Sequence, residues 1–319
     1  MKTALQPVLK YWPQYKWSNV FAMIRNMSAA PVICNEDFRG KLVVITGATS
    51  GIGYLTAREF ALHGARLLTI NRNEAKSQAL CEEIRQEFNT PCEYWLADLG
   101  RLDVMHYVGQ KLAELPMPID VLIHNAGVYL SKRTPTPDGL EKSLAIHFLA
   151  PFVINHLLKE KMKREGRGRI LFVSSEGYRF AVWGPQLDDL NWEKRRYTSL
   201  GAYGAAKISQ ILTMHILSRE LNTSGVTVNA MHPGMVRTNT GHENSPIYRF
   251  FKRHLIDRFS RSPVTSAQAL YYLGASPELN DVSDRFFHLT TEEELTPPAC
   301  DMEMAEKVWQ TALQIGRLQ

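Results

Sequence analysis

From Lys41 onward the apolar positions fall into short, β-branched runs separated by longer stretches of helical spacing. Leu42-Val43-Val44-Ile45-Thr46 is apolar throughout, too short for a helix, and closed by a glycine-rich turn, so it predicts a strand buried on both faces. Residues 66–70, 92–97, 120–124, 169–174 and 226–231 read the same way. Between them, 54–63, 73–88, 140–163 and 203–221 carry helical spacing; Gly64 stops the first helix and Asn73 can cap the second. Such alternation predicts a doubly wound α/β domain, a parallel sheet with helices on both faces.

Residues 1–37 follow no such pattern and are set apart as an N-terminal extension, leaving 38–319 as one domain. Lys2, Lys10, Lys16 and Arg25 are the only charged side chains before Glu36, interleaved with Tyr11, Trp12, Tyr15, Trp17, Phe21 and Met23. Two readings stand: a segment packed on the domain surface, or an interfacial anchor giving weak peripheral contact with a membrane. The apolar run from Val20 to Ile24 is too short for a secretory signal.

Composition narrows the class. With 45% hydrophobic and 22% charged residues over 319 positions, the chain can bury a large core. Its four cysteines, at 34, 81, 92 and 300, form no CxxC pair and suggest neither a disulfide framework nor a metal site. A reducing cytoplasmic setting is the expectation. The net charge of +5 is dispersed, and the densest basic run, Lys194-Arg195-Arg196, follows an acid, so no nucleic-acid face is expected.

The chemistry begins at Thr46-Gly47-Ala48-Thr49-Ser50-Gly51-Ile52-Gly53. Glycines between a buried strand and a helix allow a tight turn and let a pyrophosphate approach the backbone at the helix N-terminus. The second strand ends in Asn71-Arg72, with no acid to hold ribose hydroxyls. Arg72 can instead pair with a 2′-phosphate, which favours NADP(H) over NAD(H). Tyr203 and Lys207 stand four apart on one helix face, where an ammonium favours a phenolate for proton transfer to a carbonyl oxygen. Ser174 and Ser175 close the fifth strand at the carboxyl edge, where open α/β sheets bind ligands.

Taken with Asp98-Leu99, Asn125-Ala126-Gly127 and His232-Pro233-Gly234, these motifs resemble the short-chain dehydrogenase/reductase family, a Rossmann fold. The likeness runs from Lys41 to the end of the sixth strand, and more loosely beyond. It looks closest to the retinol dehydrogenase and WW-domain oxidoreductase branch. Asp189-Leu190-Asn191-Trp192, the long insert between Ser175 and Tyr203, and Ser276-Pro277-Glu278-Leu279 carry that narrower likeness. The resemblance implies that Ser175 orients the carbonyl, Tyr203 is the acid/base, and Lys207 lowers its pKa and holds the nicotinamide ribose. It also implies that Asp98 contacts adenine, that Asn125, Ala126 and Gly127 line the cofactor, and that Pro233, Gly234 and Thr238 hold the carboxamide.

Three positions depart from the family's text: His124 where an asparagine is usual, Ala206 before the lysine, and His147 where the relay asparagine is expected. His147 either holds the relay water through its imidazole or is a packed histidine beside a rerouted relay. The function read from the chain is therefore an NADP(H)-dependent oxidoreductase acting on a small lipophilic alcohol, aldehyde or ketone. Residues 239–262, with Ser245-Pro246-Ile247-Tyr248-Arg249-Phe250-Phe251, either help cover the substrate or form a surface helix whose aromatics pack onto the core. The alternative is a catalytically weak NADP-binding interaction protein on the same fold. Monomer and homo-oligomer both stay open.

Overall fold

The computed structural model describes residues 9–16, 26, 29–234 and 262–318. Eight strands form one sheet: β1 Leu42–Thr46, β2 Arg66–Asn71, β3 Cys92–Leu96, β4 Val121–His124, β5 Gly168–Val173, β6 Val226–His232, β7 Arg285–His288 and β8 Thr291–Glu292. Their order is β3-β2-β1-β4-β5-β6-β7-β8. All neighbours pair in parallel except β7 with β8. The winding reverses between β1 and β4, which opens a crevice at the carboxyl edge.

Side chains of β1 alternate between the two faces, as a pleated strand requires. Val43 and Ile45 pack with Phe60, Leu80, Leu270 and Tyr271, under α1 Gly51–Leu62, α2 Glu74–Phe88 and, beyond the sixth strand, Pro263–Ala275. Leu42 and Val44 pack on the other face, with Met105, Phe148, Ile154, Ile211 and Trp309. That face is covered by α3 Leu102–Ala113, by α4 in three consecutive pieces, by α5 Ser199–Glu220 and by the last helix, Met302–Ile315. The three pieces of α4 are Lys142–Leu144, a π-helical turn Ala145–Leu149, and Ala150–Glu165. In chain order the two late helices are α6 and α7.

The structure adds elements the hydrophobic pattern did not assign. α3 buries Leu102, Met105, Val108 and Leu112 at helical spacing. β7, β8, α6 and α7 extend the sheet and its cover beyond the sixth strand. α1 and α5 begin earlier than expected, at Gly51 and Ser199; the Thr198 side chain accepts from the Gly201 N–H and caps α5. The Asn73 cap is present, its side chain accepting from the Lys76 N–H.

Described parts of the extension pack on the domain. Tyr11 is buried and its hydroxyl donates to Asp301 at 2.6 Å, beside a Lys10–Asp301 ion pair. The Tyr15 hydroxyl donates to the Val182 carbonyl at 3.0 Å. Asn26 donates to Glu293 at 3.0 Å, and the Val32 N–H to Thr290 Oγ1 at 2.9 Å. Leu9 and Trp12 remain exposed.

Candidate active site

Backbone makes the floor of the crevice. Gly47 sits at φ 71°, where a Cβ would lie 2.9 Å from Ala126 Cα; only glycine fits so close a pass. Asn125 Nδ2 donates to the carbonyls of Thr46 and Gly47 at 3.1 and 2.8 Å, and Thr46 Oγ1 accepts from the N–H groups of Asn125 and Ala126. A Cβ on Gly53 would strike Asn125 Nδ2 at 2.3 Å, so α1 presses directly on this clamp. Asn71 Oδ1 accepts from the Ala48 N–H at 2.8 Å and fixes the turn from the other side. The Ser50 side chain makes no capping bond, which leaves the first N–H groups of α1 open to an anion. Space beyond Gly51, at φ 59°, is empty to 4 Å. A diphosphate fits this cradle.

Arg72 is exposed at the end of β2 and makes no ion pair with a described residue. Asp98 is exposed, its Oδ1 taken by the Gly100 N–H at 3.0 Å, and Leu99 is buried beside it.

The candidate catalytic side chains gather just after β5 and on α5. Ser175 follows β5, and its Oγ accepts from the Gly177 N–H at 3.0 Å. A Cβ on Gly177 would lie 2.6 Å from Tyr203 Cε1 and 3.2 Å from Ser175 Oγ, so both side chains flank one glycine. Lys207 is buried behind Tyr203, its Nζ 5.9 Å from the Tyr203 ring centre. It donates to the Val173 carbonyl at 2.7 Å. Burial pushes the Lys207 pKa down to about 7. Tyr129 meets the Tyr203 ring edge-on at 5.6 Å and lines a cavity of about 260 Å³ with Leu130, Ser131, Lys132 and Thr134.

The short-chain dehydrogenase family model matches residues 41–184 and 192–248, across the glycine turn, Ser175, Tyr203 and Lys207. The chain belongs to the short-chain dehydrogenase family. Human retinol dehydrogenase 13 is 34% identical over 285 residues, covering 88% of this chain and 86% of its own length. Mouse retinol dehydrogenase 14 is 35% identical over 286 residues, covering 85% and 84%. Human WW domain-containing oxidoreductase is 31% identical over 288 residues, covering 88% and 69%. A solved protein of Mycobacterium paratuberculosis superposes with a TM-score of 0.68 at 27% identity, over 92% of this chain and 98% of that one. A blue fluorescent protein from a metagenomic library, solved with NADPH, shares the fold with a TM-score of 0.62 at 24% identity, over 79% and 97%. This short-chain dehydrogenase is thus a nicotinamide-dependent oxidoreductase of CH–OH groups, in the retinol dehydrogenase and WW-domain oxidoreductase branch.

Within that family the departures acquire geometry. His124 ends β4 and its Nε2 meets Asn155 Oδ1 at 2.9 Å; burial holds its pKa down near 4. His147 lies in the π-helical turn, with its ring edge-on to Tyr203 at 5.1 Å. Its Nε2 is committed to the Val128 backbone, 2.7 Å from the carbonyl and 3.0 Å from the N–H. Burial, and then the Lys207 charge, hold its pKa near 3. The imidazole nitrogen facing Val128 is therefore spent on the loop that follows β4. The buried Nδ1 makes no hydrogen bond among the described residues.

Pro233 and Gly234 follow β6; the Pro233 carbonyl accepts from Ser266 Oγ at 2.6 Å, and Gly234 adopts φ 77°. Thr238 and all but the last residue of 239–262 lie outside the described residues. Asp189, of the insert, accepts from the N–H groups of Glu193, Lys194 and Arg195, and Arg195 stacks over Trp192 at 3.7 Å. The Asp-Leu-Asn-Trp text thus folds a loop.

Sequence reasoning assigned Thr46 and Asn71 no role of their own and left Tyr129 and Gln210 unremarked, though each meets partners distant in the chain. It also passed over a buried ion network behind Ser175. Arg179 pairs with Glu176 and, at 2.7 Å, with Glu293, which also accepts from Asn26. Burial foremost raises Glu176 to about 7. The carboxylates are balanced by a guanidinium, and the network ties the extension to the loop after Ser175.

Proposed function

We propose that the chain reduces or oxidises a small lipophilic carbonyl/alcohol pair with a preference for NADP(H), Tyr203 acting as the acid/base. The observation that carries this reading is the placement of Ser175 and Tyr203 around Gly177 with Lys207 buried behind them. Ser175 Oγ would hydrogen-bond the substrate oxygen and fix its position. Tyr203 would donate its proton to that oxygen in reduction and recover it in oxidation. The Lys207 ammonium favours the phenolate form between turns.

The bound nicotinamide supplies or accepts the hydride. Gly47, Thr49, Ser50, Gly51, Ile52 and Gly53 would hold its diphosphate, Arg72 the 2′-phosphate, and Asp98 and Leu99 the adenine. Asn125, Ala126, Gly127, Pro233, Gly234 and Thr238 would line the nicotinamide half, with Tyr203 and Lys207 at its ribose. The retinol named for two relatives supports an apolar substrate.

The test is a panel of alcohols, aldehydes and ketones, retinol and retinal among them, followed by nicotinamide absorbance with NADPH, NADP⁺, NADH and NAD⁺. Turnover confined to short polar carbonyls overturns the apolar reading. Cofactor binding without turnover on any of them favours the second reading, a catalytically weak NADP-binding interaction protein. His147 keeps that reading in play, since its Nε2 is committed to Val128.

Weak peripheral membrane contact through residues 1–37 belongs to the same proposal. Each cation near an anionic surface contributes about 1 kcal/mol, but Lys10 is already paired with Asp301. No described helix is long and apolar enough to cross a membrane. Co-sedimentation with anionic vesicles at low salt is expected for the full chain and not for one starting at Asp37; equal behaviour of the two rules the contact out.

A further inference from the structure

Gln210 stands one turn beyond Lys207 on α5 and is buried against the π-helical turn of α4. Its Nε2 donates to the His147 carbonyl at 2.8 Å, and its Oε1 lies 3.5 Å from Lys207 Nζ. The amide has only one orientation that satisfies both neighbours. A carbonyl can only accept, so it takes the NH₂ end, and an ammonium can only donate, so it takes the oxygen. A π-helical turn displaces carbonyls from the regular i→i+4 ladder, and such turns gather at functional sites. Here the carbonyl is handed to a side chain that also reaches the lysine.

We infer that Gln210 is a positioning residue of the catalytic centre: its amide joins the His147 carbonyl to the Lys207 ammonium and holds that ammonium charged behind Tyr203. The inference rests on the reading of Tyr203 and Lys207 as the acid/base pair. The Imidazole of His147 does not make this link, because its Nε2 serves Val128; the backbone of His147 does, through Gln210. Lys207 has two acceptors in range, the Val173 carbonyl and Gln210 Oε1. Removing the amide leaves one. Among the described residues the other titratable groups near Lys207 are Tyr203 on its own helix, His147 on α4 and His232 on β6, both histidines with the pKa held down to about 3 chiefly by burial. Across the neutral range neither histidine changes charge, so Gln210 and Val173 set the hydrogen bonding of the ammonium.

The experiment is a direct titration of Lys207 by NMR in protein carrying ¹³C-lysine, with the resonance assigned by its loss in Lys207→Arg. It needs neither substrate nor cofactor. Gln210→Met removes both polar ends at nearly constant volume and is expected to lower the Lys207 titration midpoint by about one unit. Gln210→Asn keeps an amide and leaves room for one bridging water, so it is expected to recover most of that shift. A wild-type midpoint in Gln210→Met overturns the inference, as does an equal shift in both variants, which would mark a packing effect only. Gln210→Leu, shorter and clear of the His147 carbonyl, carries the same test if the methionine variant does not fold. Tyr203→Phe separates this inference from the reading beneath it. Full turnover in that variant removes the acid/base assignment, whereas lost turnover with an unmoved Lys207 midpoint in Gln210→Met removes Gln210 alone.

Discussion

Between β1 and α1 the site is backbone brought against backbone, with Gly47 passing under Ala126 and Asn125 spanning two carbonyls. Between α4 and α5 it is buried side chains held by distant carbonyls, with Lys207 on Val173, Gln210 on His147, and His147 on Val128. The first region works by what is missing, a Cβ at Gly47 and a side-chain cap at Ser50. The second works by charge and hydrogen bonding out of water, where each lost partner is expensive. Damage to the first should weaken cofactor binding and leave the chemistry intact; damage to the second should do the reverse.

Tyr203→Phe puts the largest strain on that division. On the proposed reading the hydroxyl carries the proton, while the ring packs against Tyr129 and His147. Turnover is expected to fall by about 10²–10⁴-fold, with the NADPH dissociation constant, read by fluorescence titration, nearly unchanged. Cofactor affinity falling in step with turnover would mean the two regions are not separable. Arg72→Ala acts on the other side. Losing a hydrogen bond to a charged phosphate costs about 1.5–3 kcal/mol, roughly 10–150-fold in affinity, and the loss should touch NADPH and spare NADH. A parent enzyme that binds the two equally sinks the assignment.

How far each region was legible follows from the same difference. Gly47, Gly51 and Gly53 announce themselves because glycine spacing is local and the turn lies between a plain strand and a plain helix. The parallel sheet and its order of elements through β6 came from hydrophobic runs in the same local way. Tyr203 and Lys207 were singled out by helical spacing. Gln210 was not, since its meaning depends on a carbonyl 63 positions away. His147 stood open between two readings because sequence cannot say which groups meet an imidazole; Val128 occupies its Nε2. Asn71 was read only for not being an acid, though its side chain holds the Ala48 N–H of the turn. α3 shows the opposite lapse: its apolar spacing was in plain text but lay between two strands already assigned.

Gly47→Ala is a gentler probe of the backbone-made region. The left-handed φ of 71° costs an alanine about 1–2 kcal/mol, and its Cβ would press on Ala126 at 2.9 Å. Cofactor affinity is expected to drop about tenfold, while the Lys207 titration stays where it is. A shift of that titration would show the strain crossing from one region into the other.

The smallest expected effect is on acid stability, and it belongs to the side-chain region. His124, His147 and His232 are buried there and kept neutral, at about 4, 3 and 3, with burial the leading cause in each. In the unfolded chain a histidine takes up its proton near 6.5. As pH falls below that value the unfolded chain binds protons that the folded one refuses, so stability present above 6.5 is lost toward pH 4. Glu176 runs the other way. Its folded pKa is raised to about 7, so between 7 and an unfolded value near 4.5 acidification favours the fold. Lys207, lowered to about 7 by burial, adds a small loss as pH first falls from 7 and takes no further part once it is charged in both states. Three histidines against one carboxyl leave a net loss of stability, read as a Tm lower at about pH 4.5 than at about 7. Hydrogen exchange should place the weakening at β4, α4 and β6, with α1 protected at both pH values. A flat Tm across that range, or loss of protection that begins at the glycine turn, would put the acid-sensitive groups in the wrong half of the site.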